Sequence, residues 1–423
     1  MRNVRVPPIA SDPGLPGARG LFTAEGREAL SAFLGERGWS LDDVAAVQAT
    51  YRPGHAATVR YRAVASGPRG RRTFVLCGET RARPKAPAPP PPEAEARTGL
   101  AEPVGRSGPY LVWAFPYDPS LPDVADAAWG AEVARRLGVP AVSTQAIRYR
   151  PRRRAVLRYR VLRRARGRRW ETRFGKVLPR SKAERARHAA GRLGRDRAGL
   201  HLAVPTGSLG RDAFVFEPAP GRSLRELLVG GGPLPSPDRV ASLPAAVATV
   251  AAEAPEGSRP SPEEGTRAAA AVLERLVPGE AGEVGRVVEA VFEGAARPAP
   301  MASAVHGDLY EAQVFVDGDF SLGLIDLDDL GPGDPAVDAA NFSAHLLVLA
   351  LAVPAVADRL VAYRRLVREA FLRRLGISSS ELAWREAMAT LLLASGPFRV
   401  LDPRWPTEVV RRIRLAVRLL DQA

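Results

Sequence analysis

The chain predicts an α+β fold, with antiparallel sheet in its first half and helices in its second. Three observations carry this. A strand-rich sequence unit occurs twice before residue 180. The stretch from Gly221 to Pro298 is Ala-rich and mostly helical in character. From Asp338 onward apolar residues recur at helical spacing, with breaks at Pro354, Gly376 and Pro397.

The repeat is the first element to justify. Tyr51-Arg52-Pro53 and then residues 57–64 match Tyr149-Arg150-Pro151 and then residues 155–162. Arg69-Gly70-Arg71-Arg72 matches Arg166-Gly167-Arg168-Arg169. Each copy reads as strand, tight connection, alternating strand, turn and third strand. A helix is expected before each, over Thr23 to Glu36 and Val124 to Leu137. Aligning Gly78 with Gly175 sets Glu79 opposite Lys176. Only the second copy therefore offers a strand Lys to a phosphate.

Between the copies, residues 84–92 form a Pro-rich run that reads as polyproline-type and exposed. Tyr110 to Phe115 reads as a strand. After Lys176, Ser181 to Leu193 reads as a helix, with Ser181 at the N-cap and Glu184 at N3 in a capping box. Leu200 to Pro205 and Ala213 to Glu217 read as strands, and Gly221 to Leu228 opens a helix. Strands at 314–316 and 322–325 flank a turn at Asp317-Gly318-Asp319. The domain reading is 1–118 for the first copy with its Pro-rich insert, 119–217 for the second copy, and 218–423 for the helical part.

Composition bounds the function. The 423 residues carry 61 Lys+Arg against 46 Asp+Glu, a net charge of +15. Only three of those cations are Lys, so a general preference for Arg explains the charge more simply than a polyanionic partner. The single Cys77 excludes an intrachain disulfide and a Cys-based zinc cluster, and fits a reducing, cytoplasmic setting. No secretory signal is visible at the start of the sequence. The apolar run Leu346 to Ala357 is too short to span a membrane and reads as a buried helix.

Against this basic background, Met301 to Ala350 contains no Lys or Arg and nine acids. Within it lie His306-Gly307-Asp308-Leu309, Gln313, and Ile325-Asp326-Leu327-Asp328-Asp329. Carboxylates without local cations point to a divalent ion in place of internal salt bridges, and hence to phosphoryl transfer.

A strand Lys, a following helix with a Glu, a short extended link and a helical part with an acidic loop complete a pattern. Its most specific portion is residues 306–313, followed by Asp326 and by Gly333-Asp334-Pro335-Ala336-Val337-Asp338. From about Val124 to the C-terminus the chain resembles the aminoglycoside phosphotransferase and choline kinase-like small-molecule kinases, a group that includes maltokinases. The resemblance implies a bilobal protein kinase-like fold, with an antiparallel-sheet N-lobe and a mainly helical C-lobe. The first copy is then an additional domain resembling a duplicated N-lobe sheet. The implied function is transfer of the γ-phosphoryl group of ATP to a hydroxyl of a small molecule, with ATP and Mg2+ as cofactors.

The implied roles follow residue by residue. Asp308 holds the acceptor hydroxyl and takes its proton. Asp326 coordinates magnesium, and Gln313 supplies a second oxygen where the common family residue is Asn. Lys176 pairs with the ATP phosphates and Glu184 holds it, although a capping box would also explain Glu184; Glu171 is a weaker candidate for that partner. The turn Pro151-Arg152-Arg153-Arg154 covers the nucleotide without a glycine, with Arg153 able to clamp phosphate or simply to be solvated. Phe216 and Glu217 lie in the link whose backbone meets adenine. His306 and Asp338 brace the loop. Asp328 and Asp329 stay open between a solvated pair and a part in binding.

Two other readings are open. One is a basic nucleic-acid-binding module, because 19 Arg lie between Ile147 and Arg197 with Tyr149, Tyr159 and Trp170 interleaved. The other is a catalytically silent kinase relative, against which Lys176, Asp308 and Asp326 argue. The first copy is expected to serve as a cap or as a homodimer surface.

Overall fold

The computed structural model describes residues 9, 11–83, 93–163, 168–193, 196–197, 199–251, 261–296 and 303–421. The Pro-rich run 84–92 and the turn containing Arg166 and Gly167 lie outside them. The described residues form two compact units. One takes the chain up to Arg180, then Gly207–Val215 and Gly396–Thr407; the other takes Ser181–Thr206, Phe216–Ser395 and Glu408 onward. The chain thus passes from the first to the second three times and returns twice.

The first unit holds both copies of the repeat as antiparallel sheets. Copy one gives β1 (Ser40–Arg52), β2 (Ala56–Gly67) and β3 (Gly70–Arg81), extended through β4 (Val104–Ser107) and β5 (Tyr110–Ala114) in the order β1-β2-β3-β5-β4. Copy two gives β6 (Ala141–Arg150), β7 (Arg154–Arg163) and β8 (Arg169–Val177), with strand Ala213–Phe216 beside β8 and Gly207–Ser208 beyond it. On β7, residues 155, 157, 159 and 161 are buried while Arg158 and Arg160 are exposed, the period-two pattern of a half-buried strand.

The two copies share one core. Cys77, Leu111 and Trp113 of copy one pack with Tyr149, Leu157, Tyr159 and Val177 of copy two. Trp113 Nε1–H donates to the Tyr149 hydroxyl at 2.9 Å, and Tyr149 donates to Asp118 at 2.7 Å. Burial of Tyr149 and Tyr159 removes two of the three aromatics on which the nucleic-acid reading relied. Trp170 is the exposed one, with Arg160 stacked 5.7 Å from its ring centroid.

Two helix expectations are corrected. The helix expected over 124–137 is two, Val124–Ala127 and Gly130–Leu137. Trp129 is extended between them (φ −98°, ψ 107°), and Gly130 passes so close to the Val142 carbonyl that a Cβ would overlap it. The helix after β8 starts at Arg180, which places Ser181 inside its first turn and not at a cap. Arg180 is held there by Asp212, Nε lying 3.1 and 3.2 Å from the two carboxylate oxygens.

The second unit is mainly helical around one large apolar core that runs from Leu193 to Leu382. A small sheet combines strands at 222–223, 314–316, 322–324, 200–202 and 196–197, and a two-stranded ladder joins Ser303–Val305 to Gly331–Gly333. Helix Pro335–Ala352 is long and apolar enough to cross a membrane by length and composition, with mean hydropathy 1.4. More than half of that window is buried within the protein. Pro354 and Gly376 separate the later helices as expected; the third break falls at Ser395, and Pro397 lies inside the short helix Gly396–Arg399.

Candidate active site

In the second unit the acidic window folds into two linked loops. Gly307 has φ +85°, a left-handed conformation that would strain any other residue. The amides of His306 and Gly307 donate to Asp338 at 2.7 and 2.9 Å, so the carboxylate on helix Pro335–Ala352 holds the start of the loop. His306 is fully buried. Its Nε2 lies 3.0 Å from the Ile325 carbonyl oxygen, and its Nδ1 lies 3.3 Å from the Asp308 amide. A proton on Nε2 satisfies both contacts: Nε2–H donates to Ile325, and Nδ1 accepts from Asp308. One imidazole therefore fixes Asp308 relative to the residue before Asp326.

The rest of the loop is held as tightly. The Ile325 amide donates to the Gln313 carbonyl at 3.1 Å. Asn341 donates to the Leu309 carbonyl at 2.9 Å, and Leu309 is buried. Gln313 is buried, and its Nε2 donates to Asp326 Oδ2 at 3.0 Å. Asp326 occupies the left-handed region (φ 64°, ψ 50°), where a non-glycine residue persists only if its surroundings over-determine it.

The carboxylates divide by partner, and several pair with cations from outside the window. Glu311 is buried and accepts from Arg225 at 2.6 and 2.8 Å. Burial pushes its carboxyl above the ordinary range, and Arg225 opposes that shift. Asp329 takes Lys182 at 2.7 Å, with Arg185 at 3.9 Å. Asp334 pairs with Arg385 at 2.6 Å. Asp328 is buried, so a solvated pair of Asp328 and Asp329 does not form. Among the described residues no group of three or more His, Cys, Asp or Glu is arranged to hold a metal. Asp326 and Gln313 are adjacent side chains, with the Gln313 amide nitrogen and not its oxygen turned to the Asp326 carboxylate. Magnesium needs few protein ligands, because it keeps waters and phosphate oxygens in its shell and rarely sits in an all-protein cage.

Two residues the sequence did not point to, His345 and Arg225, pack on Tyr310 of the Asp308 loop. Tyr310 stacks on His345 with ring centroids 4.1 Å apart, and the Arg225 guanidinium lies 5.6 Å from the Tyr310 centroid. The three come from separate stretches of chain, so no local pattern marks the cluster.

In the first unit, Lys176 lies on β8 opposite Val156, which lies opposite Arg148 on β6. Arg150 faces Arg154 one rung away on the same side of the sheet. Burial, then the guanidiniums of Arg148, Arg154, Arg399 and Arg153, pull Arg150 down to about 9. Arg153 is exposed on the turn. In copy one the corresponding rung is Thr50, Thr58 and Glu79, so the register itself aligns Glu79 with Lys176. Glu171 is paired with Arg173 at 3.1 Å and Arg163 at 3.7 Å. Glu184 is exposed on the helix after β8, and Phe216 and Glu217 follow directly on the point where the chain leaves the first unit.

Sequence reading also missed a further part of the repeat. Asp12-Pro13-Gly14-Leu15-Pro16 is matched by Asp118-Pro119-Ser120-Leu121-Pro122. Asp12 accepts from the Tyr51 hydroxyl at 2.7 Å and the Gly54 amide at 2.8 Å. Asp118 accepts from the Tyr149 hydroxyl and the Arg152 amide, both at 2.7 Å. The Asp-Pro-x-Leu-Pro identity was the available signal.

The family model described as "APH: Phosphotransferase enzyme family" matches residues 118–375, more than half of the chain. Among solved structures, the chain is similar to aminoglycoside phosphotransferase APH(4)-Ia, with 15% identity over 68% of this chain and 98% of that one and a TM-score of 0.46. It is similar to a choline/ethanolamine kinase family protein from Mesorhizobium loti, with 15% identity, 66% and 88% coverage and a TM-score of 0.43. It is also similar to amicoumacin kinase hAmiN, with 12% identity, 65% and 88% coverage and a TM-score of 0.42. No curated protein matches the chain.

Proposed function

Because the chain belongs to the phosphotransferase enzyme family, we propose that it transfers the γ-phosphoryl group of ATP to a hydroxyl of a small molecule. The observation that carries this reading is the His306–Asp338 brace, which ties the loop of Asp308 to the loop of Asp326. Phosphoryl transfer needs a base and a phosphate-neutralising group in fixed geometry, and offers the protein little covalent work beyond that.

Asp308 orients the acceptor hydroxyl and takes its proton as the oxygen attacks the γ-phosphorus. The new O–P bond forms while the bond to the β-phosphate oxygen breaks, and ADP leaves with that electron pair. Asp326, with Gln313, would hold the divalent ion. When bound, that ion neutralises charge on the phosphates. Rotation of the Gln313 amide would turn Oε1 toward the Asp326 side; in the present orientation Nε2–H steadies the carboxylate. Lys176 neutralises phosphate oxygens as a point charge, and the face it shares with Arg148, Arg150 and Arg154 is strongly basic. Phe216 and Glu217 supply backbone groups for adenine.

The acceptor is a sugar, an amino alcohol or an aminoglycoside-like compound. A screen of ADP release over these three classes, with Asp308→Ala as the control, decides among them. If MgATP causes no thermal shift and Asp326→Ala behaves as wild type, the reading fails.

A further inference from the structure

The copy of the repeat that lacks the strand Lys reaches into the turn of the copy that has it. Glu79 is buried, and its Oε2 accepts from Thr58 at 3.0 Å while Oε1 accepts from Arg81 at 2.8 Å. The same Oε2 lies 2.5 Å from Arg152 Nε, a charge contact that is not an aligned hydrogen bond. Arg152 Nη1 also donates to Ser120 at 2.9 Å, and its guanidinium sits 5.1 Å from the Trp113 ring centroid. The side chain of Arg152 is thereby turned into the first copy.

Its backbone argues that this side chain has a purpose. Arg152 stands where copy one has Gly54, and the two have φ of +61° and +67°. The turn requires a left-handed residue, for which glycine has no steric cost. Copy two keeps an arginine at this strained position, and that arginine is the residue Glu79 holds. The turn also carries Arg153 and Arg154, close to Arg148, Arg150 and Arg399. Such a crowd of like charges repels itself, so a buried acid anchoring one member opposes displacement of the turn.

We propose that Glu79, acting through Arg152, is a positioning residue that holds the turn 151–154 for the nucleotide, so that the first copy sets the affinity for ATP. The proposal rests on the kinase reading in one respect, that this turn meets the nucleotide.

The test uses the full chain with Arg152→Gly, which keeps the left-handed backbone and removes the tether, beside Glu79→Gln and Arg152→Lys. In nucleotide-free protein, amide exchange at residues 152–155 should quicken in the first two variants, while β2 and β3 keep wild-type protection. KM for ATP should rise about tenfold in both, with KM for the acceptor unchanged. Arg152→Lys, which keeps a cation opposite Glu79, should retain most of the ATP affinity. Loss of stability alone would not separate the two KM values in this way. If Glu79→Gln fails to fold, Arg152→Gly decides. Wild-type exchange and wild-type KM for ATP in Arg152→Gly would overturn the proposal while leaving the kinase reading intact. A wild-type protein that neither binds AMP-PNP nor releases ADP would overturn that reading instead, and the exchange rates would still judge the tether.

Discussion

Asp308 and Asp338 both sit in the acidic window, but replacing them should have different consequences. Asp308→Asn keeps the shape and removes the base, so kcat should fall about 10²–10⁴-fold in steady-state assays while KM for ATP stays near wild type. Asp338→Ala leaves two buried N–H donors without their acceptor. Stranding buried donors costs about 1–3 kcal/mol, so denaturant melts should show lower stability along with lower kcat. The motif residues were legible because His306, Asp308 and Gln313 lie within eight positions. The cations that pair with the window were not. Arg225, Lys182 and Arg385 lie at least 50 residues from their acids, and a local charge count cannot see a tertiary partner.

At the scale of elements, the strand triplets were readable because alternation and the repeated Tyr-Arg-Pro fix strand and turn together. Helix ends were less so. The break at Trp129 depends on the approach of Val142, a contact the helical pattern does not contain. Close packing also singles out Gly175, where a Cβ would overlap the Tyr159 hydroxyl, itself bonded to the Ala127 carbonyl at 2.8 Å. Gly175→Val should destabilise by about 1–3 kcal/mol through overpacking, read as a lower urea midpoint. On helix Gly130–Leu137, Arg135 and then Arg136 hold the Glu132 carboxyl down at about 2, against an ordinary 4.5. A carboxylate with a lowered folded pKa contributes stability that is present above its unfolded pKa and is lost as pH falls through the folded one. Glu132→Gln should therefore be less stable than wild type at neutral pH, and its acid titration should lack the loss of stability that wild type shows between about 4.5 and 2, so that the two converge at low pH.

The whole molecule shows what its charge conceals. A net +15 suggests a polyanion-binding surface, yet much of the Arg excess in the first unit lies on one sheet face beside Lys176 or is tied to acids such as Glu79, Asp126 and Asp212. The shared core also changes what truncation can reveal. Removing residues 1–117 would strip Trp113, Leu111 and Cys77 from the core that holds Tyr149 and Tyr159. The shortened chain should be recovered as aggregate or melt well below the full chain by circular dichroism. A stable, active fragment would show that the second copy folds by itself.

The late return of the chain to its first unit has a consequence for synthesis. Phe398 packs 5.9 Å from Phe22 and 5.3 Å from Trp405. Nearly four hundred residues separate two rings of one cluster. Synthesis would have to proceed through the helical second unit as far as Phe398 before the sheets of the first unit receive this apolar partner. Until then an unfinished surface waits in the nascent chain, exposed to chaperones or to neighbouring chains, and contacts so distant in sequence form slowly.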